Sequence, residues 1–224
     1  MTKLIKLSRR IFIVGTACLI VRGADGGWLP LAKVGGGGGS TTTLDPTNLG
    51  TGQVLSNGNL TDTGSGNSIA QSLAKHSSGK FYCEVTCGTV VNTGFGVCNS
   101  AVSLNNFLGV DNFGAAVYSG GGYTSTGVSG TTTCNAPVAG HVFGVAIDVD
   151  NRAIWMKDWT AAGNWNANGT ANPATNTNGC ILGGGMATGN LCAAVTCANT
   201  GDNVTFNFGA SAYTGTPPAG FGNW

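Results

Sequence analysis

Charge is what this chain has least of. Only 8% of its 224 residues are Asp, Glu, Lys or Arg, against roughly a quarter in an ordinary soluble domain, so the exposed face has to be carried by Thr, Asn, Ser and Gly. Glu84 is the only glutamate. A glycan hydrolase needs two carboxyl groups about 5 to 9 Å apart in a cleft, and this scarcity argues against one. There are two histidines, His76 and His141, and neither sits in an HExxH-like ligand pattern. Without a GxSxG elbow, a Ser-His-Asp set drawn from the many serines, His141 and Asp148 has no framework. Gly79-Lys80 runs into Phe81 and has Ala74 where the first glycine of a phosphate loop would stand, and Gly64 to Ser68 contains no lysine. These absences predict a protein with no reaction, cofactor or metal of its own. Sustained helical periodicity is missing too, leaving Ser68 to Lys75 (SIAQSLAK) as the one short helix candidate.

Glycine is abundant, with 39 residues and no three-residue period, and hydrophobic residues make up 42%; this excludes collagen and argues against a disordered low-complexity chain. The glycines read as turn residues between strands. In NVTFNFG (Asn203 to Gly209), Val204, Phe206 and Phe208 fall on alternate positions, the period of a half-buried strand. In GKFYCEVTCG, Phe81, Cys83, Val85 and Cys87 share one face and Tyr82, Glu84 and Thr86 the other. A strand from Val142 to Val149 meets Asp150-Asn151 and returns as Ala153 to Lys157, which predicts a hairpin with a two- or three-residue turn. Asp148 and Asp150 read either as a calcium pair or, more simply, as turn chemistry in which Asp150 and Asn151 tolerate a left-handed backbone. Beyond the last strand, Pro217, Pro218 and the glycines 215, 220 and 222 predict that the sheet ends there.

The cysteines are eight and contain no CxxC pair. Cys83 and Cys87 lie on one strand about 13 Å apart at the usual rise, too far to bridge each other. Because they share the apolar face with Phe81 and Val85, they read as small hydrophobes in the core. Disulfides between facing sheets, from Cys83 or Cys87 toward Cys192 or Cys197, form a second reading, and zinc a third.

Taken in order, SSGKFYCEV (Ser77 to Val85), TGFGVC (Thr93 to Cys98), GHVFGVAIDVDNRAIWMK (Gly140 to Lys157), GNWNANGTANPATNTNG (Gly163 to Gly179) and VTFNFGASAYTGTPPAGF (Val204 to Phe221) resemble the SPRY domain in the short form found in bacteriophage and bacterial proteins. LSNGNLT (Leu55 to Thr61) looks like the hairpin that opens such domains. The resemblance covers about Leu44 to Trp224. It implies an all-β fold, a bent antiparallel β-sandwich of the concanavalin-like jelly-roll kind, serving as a binding or structural scaffold.

Ahead of that domain, residues 1–34 form a basic, apolar segment and residues 35–43 a Gly/Ser/Thr linker. Through Val34 six basic residues stand against Asp25 alone, a net of +5, while the rest carries four basic against eight acidic residues, a net of −4. IFIVGTACLIV (Ile11 to Val21) behind Lys3, Lys6, Arg9 and Arg10 mimics a signal peptide, yet Arg22 follows at once and the nearby cleavage candidates are poor. The run is also shorter than the roughly 20 residues of a membrane span. The expectation is an extended anchoring arm, unprocessed and docked on a neighbouring protein through Arg9, Arg10, Ile11, Phe12, Ile13 and Val14, with nucleic acid and membrane not expected as partners.

Aromatic residues in loops are the candidate contact points: Trp159 and Trp165 in the connection from Asp158 to Gly179, and Tyr118 and Tyr123 around Gly120 to Gly122. Such side chains bind sugars by stacking and proteins by burial; the alternative is that they roof the core beneath a long loop. With the phage-type motifs and the charge-poor surface, these features point to a bacteriophage virion protein of the tail, tail fibre, spike or head decoration, contacting neighbouring virion proteins and a host-surface glycan or protein. The rival is a secreted or membrane-tethered lectin-like bacterial protein whose first 22 residues are a signal. A homo-oligomer is compatible with either, although no heptad is present.

Overall fold

The computed structural model describes residues 42–124, 128–130 and 133–224, together with two short strands upstream. The chain divides into two compact units, Met1–Gly38 and Gly39–Trp224. In the first, β1 (Val21–Arg22) pairs antiparallel with β2 (Trp28–Leu29); Arg9, Arg10, Ile11, Phe12, Ile13 and Val14 lie outside the described residues.

The second unit is built from strands β3 (Leu44–Leu49), β4 (Gln53–Ser56), β5 (Thr61–Gly64), β6 (Ala70–Ser72), β7 (Lys80–Cys87), β8 (Thr93–Asn99), β9 (Gly114–Tyr118), β10 (Tyr123–Thr124), β11 (Val128–Gly130), β12 (Val142–Asp148), β13 (Ala153–Asp158), β14 (Cys180–Leu182), β15 (Leu191–Cys197), β16 (Asp202–Asn207) and β17 (Gly222–Asn223). They form a six-stranded sheet, β10-β9-β8-β15-β6-β3, and a nine-stranded sheet, β11-β14-β13-β12-β7-β16-β5-β4, with β17 attached to β7. Every pairing is antiparallel except that of β17 with β7. The helical content of the described residues is three 3-10 turns, none long and apolar enough to cross a membrane. The all-β expectation holds.

The period-2 pattern sets the inner faces. Cys83, Val85 and Cys87 of β7, Val145 and Ile147 of β12, Ile154 and Met156 of β13 and Val204 and Phe206 of β16 belong to one buried cluster with Phe95 and Val97 of β8 and Leu191, Ala193 and Val195 of β15. Phe95 meets Phe143 edge-on across the sandwich, 5.5 Å between ring centres. Each such large apolar side chain stabilises by roughly 1.5–3 kcal/mol when fully buried. All seven described cysteines are buried and none is in a disulfide, which bears out the core reading and removes the proposed bridges from Cys83 or Cys87. Cys83 sits opposite Val145, and Cys87 opposite Val204, so neither faces a thiol across its own sheet.

Four expectations need correcting. Ser68 to Lys75 is not a helix: Ala70–Ser72 is a fully buried strand between β15 and β3, and a segment this short follows its tertiary neighbours rather than its own propensity. The hairpin joining β12 to β13 has a four-residue connection, because Asp148 pairs with Ala153. Its left-handed residue is Arg152 (φ 48°), not Asp150 or Asn151. Asp148 caps the turn, accepting from the Asn151 backbone and side chain at 2.9 Å each, and is ion-paired to Lys80 at 3.1 Å. This turn-and-strand role replaces both the calcium pair and any triad, since His141 bonds Asp158 instead, at 2.8 Å. Finally, the sheet does not stop at the prolines. β16 covers β7 from Glu84 to Cys87; the chain then leaves the sheet and returns as β17, parallel to β7 at Phe81 and Tyr82.

Trp224, only 3% exposed, closes that return. Its backbone N–H donates to the Tyr82 carbonyl at 3.0 Å, its indole N–H to Ser72 Oγ at 3.0 Å, and its ring stands edge-on to His76 and Phe81.

Candidate functional site

On the outer face of the nine-stranded sheet the same alternation presents a second set of side chains. Register puts Tyr82, Ala146 and Trp155 in one cross-strand row and Glu84, Gly144 and Lys157 in the next. Instead of facing water, Tyr82 and Trp155 are fully buried and Glu84 is 3% exposed, because residues 159–179 and 209–221 cross over them.

Glu84 fixes the second of these crossings. It accepts the backbone N–H of Thr214 at 2.8 Å, that of Gly215 at 2.7 Å, and the Tyr82 hydroxyl at 2.9 Å. Tyr213 stands edge-on to Tyr82, 4.8 Å between centres, and its hydroxyl donates to the Tyr82 carbonyl at 3.0 Å. Burial first, and then the Glu84 carboxylate, hold the Tyr82 phenol well above its ordinary pKa. Burial likewise raises Tyr213, so both hydroxyls stay neutral donors.

The first crossing is held by Asn166, buried in a left-handed conformation (φ 48°). Its Oδ1 accepts the Met156 N–H at 2.9 Å, and its Nδ2 donates to the carbonyls of Ile154 and Asn178 at 3.2 Å each. The indole of Trp155 donates to Thr177 at 2.9 Å. The loop therefore extends the hydrogen bonding of β13, and its aromatic side chains are set in fixed positions.

Trp159 is the centre of the surface. Its indole N–H donates to the Tyr82 hydroxyl at 2.9 Å, completing a chain from Trp159 through Tyr82 to Glu84. Two glycines make room for it: a Cβ on Gly144 would lie 2.4 Å from its Nε1, and one on Gly215 would lie 2.0 Å from its Cε2. The ammonium of Lys157 stands 4.1 Å from its ring centre, a cation–π geometry. Trp165 meets it edge-on at 6.0 Å. Trp159, Trp165 and Tyr213 are all half-buried, so they roof the buried Tyr82–Trp155 row and at the same time expose part of a rigid aromatic surface.

The expected aromatic set is split by the fold. Trp159 and Trp165 come together, but Tyr118 lies on the outer side of the six-stranded sheet, half-buried and edge-on to Phe107 at 4.8 Å. For Tyr123 the backbone pairs with Val117, and its side chain is outside the described residues. Sequence reasoning missed Lys157 beside Trp159, and Glu84 and Tyr213 on the Tyr82 to which Trp159 is bonded. The lone glutamate in the middle of an apolar strand was the available signal, since a carboxylate there requires donors from elsewhere in the chain. Among the described residues no group of three or more His, Cys, Asp or Glu is arranged to hold a metal ion.

No family model and no curated protein matches this sequence. Solved structures do match. The chain is similar to the SPRY domain of human HERC1, at 17% identity over 73% of this chain and 96% of that one, with a TM-score of 0.54. It is similar also to the TRIM65 PSpry domain, at 14% identity over 74% and 90% of the two chains, with a TM-score of 0.52. The class of the fold is thus the SPRY-type β-sandwich.

Proposed function

We propose that this chain is a bacteriophage virion structural protein, of the tail, tail fibre, spike or head decoration, whose SPRY-like sandwich is a binding module without chemistry of its own. The Trp159–Trp165–Tyr213 surface beside Lys157 carries the binding part of this reading, because rigid aromatic rings next to one cation suit stacking against a sugar or burial against a protein side chain. Support for the particle comes from the phage-type motifs, the 8% charged composition and the basic, apolar segment ahead of the linker. In this reading Arg9, Arg10 and Ile11 to Val14 anchor the protein to neighbouring virion proteins, and the glycine linker gives the sandwich reach.

The test compares the full chain with one beginning at Ser40, each incubated with particles lacking the protein and imaged by cryo-EM. Density restored only by the full chain supports the anchor. Failure of both, with the full chain recovered cleaved after about residue 22 from periplasm or medium, favours the secreted lectin-like reading. For the binding surface, Trp159→Ala in the full chain is expected to abolish adsorption to host-surface glycan or protein while particle incorporation persists; unchanged adsorption refutes that assignment.

A further inference from the structure

The outer side of the six-stranded sheet has its own small buried cluster, formed by Ile69, Cys98, Val102, Leu108, Ala116, Cys192 and Ala194 beneath the connection between β8 and β9. Within it Cys98 of β8 stands directly opposite Cys192 of β15 in the antiparallel register. Directly opposed residues in such a ladder have Cα atoms about 4.5–5.5 Å apart, inside the range of about 4.4–6.8 Å that a disulfide spans. Both side chains belong to this one cluster, and the Cys98 thiol donates to Gln71 Oε1 at 3.7 Å. Elsewhere in the paired strands the cysteines face other residue types: Val145 for Cys83, Val204 for Cys87, Ile154 for Cys180 and Thr93 for Cys197. Among the described residues, only the pair at 98 and 192 is directly opposed in a ladder with both side chains in one buried cluster.

We propose that Cys98 and Cys192 are a redox-active pair that closes into a cross-strand disulfide and staples β8 to β15. The closure removes two protons and two electrons from the thiols and forms one S–S bond. The oxidant is a small-molecule disulfide of the glutathione type, whose own S–S bond breaks to give two thiols. Cys192 is the attacking sulfur, since the adjoining Cys98 thiol and the nearby Lys75 charge favour its thiolate, and Cys98 resolves the mixed disulfide. Both sulfurs are fully buried, so exchange takes place while residues 100–113 are lifted from the sheet, during folding or local opening. The bond would tie together positions 94 residues apart in sequence, and a closed loop of that length raises the thermal midpoint by on the order of 10 °C.

The experiment uses the full chain, reduced and then treated with oxidised glutathione both natively and during refolding, followed by non-reducing peptide mapping and thermal melting. The expected result is a peptide linking Cys98 to Cys192, a loss of two of the eight thiols, a higher midpoint, and reversal of all three by dithiothreitol. Cys192→Ser and Cys98→Ser are each expected to remove the linked peptide and the oxidant-dependent shift while leaving the reduced midpoint within a few degrees. If either variant fails to fold, the mapping of the unaltered chain decides. A linkage between other cysteines, glutathione adducts without linkage, or retention of all thiols after oxidative refolding would overturn the proposal.

Discussion

Asp62 gives the sharpest test of the packing. It lies on β5 opposite Val204, with no exposed surface, and neither carboxyl oxygen has a hydrogen-bond partner. The Cys197 thiol donates to its backbone carbonyl at 3.9 Å. Burial pushes the carboxyl up to about 7, only partly offset by the Cys197 thiol beside it. A folded-state value raised above the unfolded one means that the neutral group is accommodated at low pH, and that stability is lost as pH climbs from near 4 through about 7. A rise of about three units corresponds to on the order of 4 kcal/mol across that window. His76 acts at the acid end, because burial lowers its pKa and its protonation destabilises the fold as pH drops below the unfolded value. Comparing the protein with Asp62→Asn cancels that contribution. Urea unfolding at intervals from pH 4 to 8 should show near-equal stabilities at pH 4 and the variant ahead by on the order of 4 kcal/mol at pH 8. Parallel curves for the two proteins would refute the claim that a buried, unpartnered carboxyl sits at this position.

Replacing Glu84 with Ala strands two backbone N–H groups and the Tyr82 hydroxyl; we expect a loss of about 3 kcal/mol in chemical denaturation and faster proteolysis within residues 209–221. Gly215→Ala places a Cβ 2.0 Å from Trp159 Cε2, which should displace the indole, change tryptophan fluorescence and cost about 1–3 kcal/mol; an unaltered spectrum would contradict the packing. Trp224→Ala removes a ring buried against His76 and Phe81 together with the bond to Ser72, and a loss of about 3–5 kcal/mol is expected in the same unfolding assay.

The inner faces were legible because alternation is a local property. Val204, Phe206 and Phe208 must share a side of any extended backbone, as must Cys83, Val85 and Cys87, and the structure buries them all. The buried outer face was not legible. Tyr82 and Glu84 read as the solvent side of their strand until Tyr213 to Gly215, some 130 positions later, are seen to lie on them. Among the loop aromatics, sequence proximity could not say that Trp159 and Trp165 share a surface while Tyr118 occupies the opposite side of the sandwich. The short strand β6 was misread because three residues hold too little pattern to outweigh the sheet around them.

The sequence by itself determined the class of structure: period-2 apolar residues, glycine-rich turns and scarce charge leave a two-layer β fold as the way to bury these side chains. Only the tertiary structure decided which strands became neighbours. It opposed Cys98 to Cys192, left the Asp62 carboxyl without a hydrogen-bond partner, and brought the chain back beside β7 after its excursion over Glu84. Side-chain alternation is written residue by residue, whereas strand order depends on contacts between segments far apart in the chain, whose closure has no local signature.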